Sequence, residues 1–299
     1  MRQSKLLTLL AIILLCAVLP AASLAEGNWA NLWNTCCDLL FRTDNVTVDG
    51  KASFALDGDR FKTANLHYVQ DGLCSLYDLK LLTPKADGTE RESGWTIIAD
   101  DDENIYVMEV YYPGTYRMGS DGKENTLLRR SVQLDAITDL GGLILKQLEP
   151  TLPADALTVS ETEGGQSIHI ALTAEQIPEM AASALNLAAG YLSNRWFSYG
   201  LDRSVNEDSY VSFGNFTTVT EALTYGTMRW TLRSLEADLT LDSQGRLTAV
   251  RGTLCAESTF VDKTVRLVAV DYDFTMTEYG TSSVRPFDPD EYGVGPFEY

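Results

Sequence analysis

The stretch "VRLVAVDYDFTMT" does most to narrow what this chain can fold into. Val268, Val270, Tyr272, Phe274 and Met276 take alternate positions, and Asp271, Asp273, Thr275 and Thr277 fill positions between them. A period of two is a strand, and one apolar side against one polar side means a sheet buried on a single face. Antiparallel sheets tolerate that arrangement, whereas parallel sheets are covered on both faces and read as continuous apolar runs. The spacing predicts a strand over 264–277, preceded by long strands over 228–241 and 247–260.

The same pattern fills the front of the chain. Ala52, Phe54 and Leu56 alternate with polar neighbours, "DGD" turns the chain, and Ala64, Leu66 and Tyr68 alternate on the return. "QDG" leads into Leu73 to Leu82. "ESGWTIIADDDENIYVMEVYYPGTYR" carries two or three further strands, with an acidic turn at Asp100 to Glu103 and a break at "PG". Short strands joined by Asp-Gly turns are antiparallel hairpins. "ASFALDGDRFKT" near the front is echoed by "ADLTLDSQGRLT" (Ala237 to Thr248), so the two hairpins are expected at the two ends of one long meander.

Helical spacing interrupts the strands at three places. Trp29, Leu32, Trp33, Cys36, Leu39 and Leu40 recur three and four apart, as do Leu134, Ile137, Leu140, Ile144 and Leu148. Ile177, Ala181, Leu185, Ala188 and Leu192 make the clearest apolar helix face, with Thr173 and Gln176 at capping-box spacing. Two short strands, 156–159 and 167–172, lie between the second and third helices. Residues 198–226 read as a long loop insertion. The Pro-, Gly- and acid-rich tail over 280–299 reads as a flexible acidic tail. A sheet of about ten strands must curl, because each neighbour adds roughly 20° of twist. The predicted fold is therefore α+β: a large curled antiparallel sheet, a half-barrel of about ten strands closed by helices, forming a single domain over 26–279.

The first 25 residues carry a basic start (Arg2, Lys5), an apolar run from Leu6 to Leu19, Pro20, and small residues at Ser23 and Ala25. That is the pattern of a secretory signal peptide, too short for an ordinary membrane span of about 20 residues. Leu14 and Leu15 precede Cys16 where a lipid-attachment signal wants small residues, which argues against lipidation. The expectation is a secreted or extracytoplasmic protein of the cell envelope, with no stable membrane insertion after signal cleavage. The formal charge of −19 falls further on loss of Arg2 and Lys5. Such a chain is repelled by phosphate backbones, which excludes nucleic acid as a natural partner. Beyond the signal stand Cys36, Cys37, Cys74 and Cys255. A vicinal bond is strained, so oxidation would tie Cys36 or Cys37 to Cys74 and Cys255; otherwise these are four buried thiols.

Chemistry-bearing patterns are scarce. His67 and His169 are the histidines, both on predicted strands and without metal spacing. HExxH, a Walker loop, GxSxG and a strand-linked GxGxxG do not occur. "DPDEYG" opens like a calcium loop, but Tyr292 stands at a ligand position and Tyr299 where the bidentate Glu belongs, so it reads as tail. No catalytic residue, cofactor or metal site is expected. Tyr106, Tyr111, Tyr112 and Tyr116 crowd one strand region in which Ile105 and Val107 face one side and Tyr106, Met108 and Val110 the other. Both faces there are apolar, so each requires a cover.

The order of signal, helix, antiparallel strands, inserted helices and a final long strand pair resembles the lipoprotein-carrier superfamily (LolA-like and LppX-like extracytoplasmic proteins) over Asn28 to Gly280. "ASFALDGDRFKTANLHYVQDG" and "YDFTMTEYGTSSV" also look like phrases of uncharacterised secreted proteins of Gram-positive gut bacteria. The superfamily resemblance implies a half-barrel closed by helices around an apolar cavity that takes acyl chains. It shares no functional motif, so the lining candidates come from alternation alone: Val268, Val270, Tyr272, Phe274 and Met276 on the strand, and Ile177, Ala181, Leu185, Ala188 and Leu192 on the helix. The expected function is a non-enzymatic binding protein holding a lipid or other apolar ligand inside the curled sheet. The alternative is a cell-envelope structural or protein-interaction module with a fully packed core and no ligand. A hydrolase would need a serine or carboxylate pair beside His67 or His169.

Overall fold

Asp57 and Gly58 have φ of 52° and 94°. Positive φ at both central residues of a two-residue loop is what a type I′ hairpin requires, and Asp-Gly supplies it cheaply. They join β1 (Asn45–Leu56) to β2 (Asp59–Asp71). Gly72, at φ 57°, opens the next tight turn into β3 (Cys74–Pro84). The computed structural model describes residues 34–39, 43–85, 87–100, 104–110, 113–119, 139, 142–143, 152–153, 155–177, 227–260 and 263–296. The meander continues through β4 (Glu90–Ala99), β5 (Ile105–Glu109) and β6 (Thr115–Gly119). A second run comprises β7 (Leu157–Thr162), β8 (Gly165–Thr173), β9 (Thr227–Asp242), β10 (Leu247–Phe260) and β11 (Val265–Thr277). Short helices α1 (34–39) and α2 (Pro289–Tyr292) and the two-residue β12 (Gly295–Pro296) complete the labelled elements.

Among the described residues the strands form one 12-stranded sheet in the order β12-β6-β5-β4-β3-β2-β1-β11-β10-β9-β8-β7. It is curled and unclosed, and it dominates the described residues more than the α+β expectation of a sheet shut by helices allowed. The two echoing hairpins are not its ends. β1 pairs with β11 from Thr47↔Thr277 to Leu56↔Val268, which sets the first long strand beside the last at the middle of the sheet. The hairpins therefore flank β11 and point opposite ways. Their turns also differ: β9 and β10 are joined by a longer loop in which Asp242 accepts from the backbone N–H groups of Gln244 and Arg246, with Gly245 at φ 77°.

Asp57 pins one end of the β1·β11 seam. Its N–H donates to the Leu267 carbonyl at 2.7 Å, and its carboxylate accepts from Leu267 N–H at 2.8 Å and Arg266 at 2.7 Å. Partial burial opposes ionisation, yet those donors hold the Asp57 carboxyl below its ordinary range. At the other end Asn45 accepts from both the N–H and the hydroxyl of Ser282, and donates to Asp71 at 3.1 Å.

The tail expected to be loose is docked instead. Val284 N–H donates to Asp71, Phe287 stacks on Tyr106 at 4.2 Å between ring centres, and Tyr116 meets Phe287 edge-on at 4.9 Å. Asp288 caps α2, and β12 then pairs in parallel with β6. An aromatic trio outweighs composition here, since stacked rings contribute about 0.5–1.5 kcal/mol beyond area burial. The tail is thus the cover for the outward aromatic side of β5.

The cysteine staples are also corrected. Cys36 sits in the core cluster on one side of the sheet, whereas register places Cys74 and Cys255 on the other. Four strand steps separate β3 from β10, roughly 19 Å, far beyond the 7 Å limit for a bridge. All four are thiols. Burial, and then neighbouring Cys37, push the Cys36 thiol far up, which makes it inert.

The packing generates two tests. A Cβ on Gly252 would lie 2.1 Å from the Glu236 carbonyl oxygen, whereas Gly164 has open space. Gly252→Ala is expected to cost about 1–3 kcal/mol in urea unfolding, and Gly164→Ala under about 0.5 kcal/mol. Truncation after Gly280 is expected to uncover Tyr106, Tyr116 and the β6 edge, and to produce concentration-dependent association in light scattering.

Candidate functional site

Register divides the sheet into a wet outer face and an apolar inner face. One outer row runs His169–Asp238–Arg251–Asp273–Lys51 across five strands, mostly alternating in sign. His169 lies 2.8 Å from Asp238, and His67 lies 2.7 Å from Asp49. Both rings are about half-exposed on this face. Ladders of opposite charge suit a solvated sheet surface and disfavour register slips. The two histidines stand five strand steps apart, so they do not form a common site.

The inner face carries the predicted strand residues. Val268, Val270, Tyr272, Phe274 and Met276 are all buried there. Val270, Tyr272, Phe274 and Met276 belong to the main core cluster, and Val268 joins Leu56 and Phe260 in a second cluster at one end. Ile177 packs against the main cluster, and Ala181, Leu185, Ala188 and Leu192 lie outside the described residues. Residues 1–25 and the 198–226 insertion also lie outside them.

Two inner rows differ in height. The row Ile168–Leu239–Val250–Phe274–Gly50–Leu66–Leu79–Trp95 is bulky except at Gly50, over which Phe274 lies. A Cβ on Gly50 would fall 1.9 Å from Phe274 Cδ1. The neighbouring row reads Ala237–Gly252–Tyr272–Ala52–Ala64 at its centre, so small side chains flank a single aromatic. Tyr272 lies over Gly252, whose added Cβ would fall 2.5 Å from the phenol oxygen.

This apolar face contains polar atoms that sequence reasoning missed. The Tyr77 and Tyr272 hydroxyls, Ser93 Oγ, Thr83 Oγ1 and Gln166 Oε1 are buried without a hydrogen-bond partner. Register places all five on the inner face. Burial, with Asp78's charge second for Tyr77 and Asp238's for Tyr272, pushes both phenols up, so they remain protonated donors. A buried polar atom left unmatched costs about 1–3 kcal/mol. Period-two register from Leu79 and Leu81 would have found Tyr77 and Thr83; nothing local marks them as unmatched.

At one end of the inner face lies a half-open cavity of about 450 Å³, bordered by α1, the start of β1, the β9–β10 loop and Tyr279. Leu39 and Leu247 belong to both its wall and the main core cluster. Its rim is polar: Thr35, Asp38, Thr43, Asp44, Gln244 and Arg246. Among the described residues, no group of three or more His, Cys, Asp or Glu could hold a metal, and no helix is long and apolar enough to cross a membrane.

The unmatched hydroxyls make a sign test. In ligand-free protein, Tyr272→Phe and Tyr77→Phe are expected to raise the unfolding free energy by up to about 1 kcal/mol, because each removes a desolvated polar atom and keeps the ring. A loss of similar size in chemical denaturation would show that the hydroxyls are already matched.

No family model matches the chain, and no curated protein matches it. Among solved structures, a LolA superfamily protein from Nitrosomonas europaea aligns with 87% of this chain and 94% of its own, at 11% sequence identity and a TM-score of 0.23. A likeness of that size says nothing about what the chain binds.

Proposed function

We propose that this protein is an exported, non-enzymatic binding protein that holds a lipid-like ligand against the inner face of its curled sheet. The observation that carries the reading is the set of unmatched polar atoms on that face, which is apolar over most of its area but also carries the charged side chains of Lys62, Arg91, Glu109 and Arg117. A core evolved only for packing disfavours buried hydroxyls without partners. A ligand-holding face uses a few of them among apolar walls to orient what it binds. The end cavity, walled by core leucines and rimmed by polar groups, gives such a ligand a route to solvent. The outer face offers cross-strand polar contacts, His67 to Asp49, His169 to Asp238 and the ion pair of Arg251 with Asp273, which suit a solvated sheet surface.

Gently purified protein is expected to carry lipid-sized adducts in native mass spectrometry. After delipidation it is expected to bind the uncharged apolar probe phenylnaphthylamine and to release it to an acyl amphiphile. A clean mass together with no probe uptake would leave the packed-core envelope module as the better description.

A further inference from the structure

One corner of the inner face gathers two buried hydroxyls and two cationic side chains, and we propose that this corner, Lys62, Thr83, Arg91 and Ser93, holds the oxyanion head of an acidic amphiphile, a carboxylate or a phosphate. The inference rests on the ligand-holding reading above and adds the class of head group and its seat. Thr83 pairs with Arg91 and Leu81 with Ser93, so the two hydroxyls are diagonal neighbours on β3 and β4. Continuing Thr63↔Leu82 by one residue sets Lys62 opposite Thr83. The four side chains thus share one face across three adjacent strands, roughly 10 Å wide. Thr83 and Ser93 are 7% and 1% exposed, and neither hydroxyl has a hydrogen-bond partner.

The corner is rich in donors. An ammonium carries three N–H groups and a guanidinium five, so a contact that either makes elsewhere does not use up its donors. An acid oxygen accepts from hydroxyl, ammonium and guanidinium alike, and such charge-assisted bonds are about twice as strong as neutral ones. Among the described residues, the two inner rows that contain the corner include no carboxylate, and Glu109, inward on β5, faces Arg117 at 3.8 Å. From Lys62 the row continues through Phe54, Val270, Leu254 and Leu235 to Leu172, all apolar. Its four strand steps from β1 to β8 span about 19 Å, which suits an extended acyl chain. The chain's charge of −19 opposes any anion, but the acids of the outer ladder lie across the sheet, and salt screens charges beyond about 8–10 Å. β1 begins at the end cavity with Asn45 and reaches the corner beside Phe54, so the head sits at the far end from that cavity.

The test uses a long-chain fatty acid, its methyl ester and the alkyl phosphate of equal chain length, each competing with phenylnaphthylamine on the delipidated protein. The acid or the phosphate is expected to bind about tenfold more tightly than the ester, and the tighter of the two identifies the oxyanion. In the double variant Thr83→Val with Ser93→Ala that preference is expected to fall to about threefold or less. Probe binding is expected to hold there, with no loss of ligand-free stability, because both changes remove unmatched hydroxyls. Equal or tighter binding of the ester to the unaltered protein would overturn the head-group assignment and leave the binding reading intact. An oxyanion preference that the double variant leaves unmoved would overturn this corner as its seat. Failure of all three amphiphiles to displace the probe would overturn the binding reading itself.

Discussion

Everything in this fold depends on β1 lying beside β11. The pairing holds from Thr47 to Leu56 on one strand and from Val268 to Thr277 on the other, and it fuses two meanders that would otherwise be separate sheets. Partners in that seam stand more than 200 residues apart in the chain. Loop-closure entropy must be met before the contact gives anything back, so folding is expected to be slow and governed by this closure. The seam is accordingly reinforced beyond its ladder: Asp57 clamps Arg266 and Leu267 at one end, and Asn45 holds Ser282 at the other. Glycine helps as well, because Gly50 and Gly252 let Phe274 and Tyr272 of β11 lie down over the strands on either side.

That seam also sets the chemistry of each face. Because β11 alternates strictly, its neighbours must place their own apolar positions on the same side. The acids and bases of the outer ladder are driven to the other side together. The result is a surface whose sides differ: one wet and electrostatically patterned, the other mainly apolar, with scattered hydroxyls and a few charged side chains such as Lys62 and Arg91.

Individual strands are legible in the sequence; their spatial order is not. The alternation of Val268 to Met276 gives the bounds and buried side of β11 almost directly, and Asp57-Gly58 gives the β1–β2 hairpin. Adjacency across the seam has no local signal, because two strands of matching pattern can pair in several orders, and the echoing hairpins suggest ends where the sheet has its centre. Phe287 is hidden for a related reason. Aromatics scattered through a Pro- and acid-rich segment barely move the local average, and the meaning of Phe287 appears only against Tyr106 and Tyr116. The cysteine staples fail on parity: Cys255 falls between Leu254 and Ala256, both of them inward, so its thiol has to face outward. Of the candidate site, the apolar wall is readable from period alone. The unmatched hydroxyls are not, since satisfaction is a property of neighbours.

β12 has a consequence for assembly. It occupies the margin at β6, and the opposite margin of the sheet is β7, whose side chains from Ser160 to Thr162 are polar and exposed. Each margin discourages the addition of another strand in its own way: Pro296 has no N–H to donate at the first, and exposed polar side chains with the charge of Glu161 line the second.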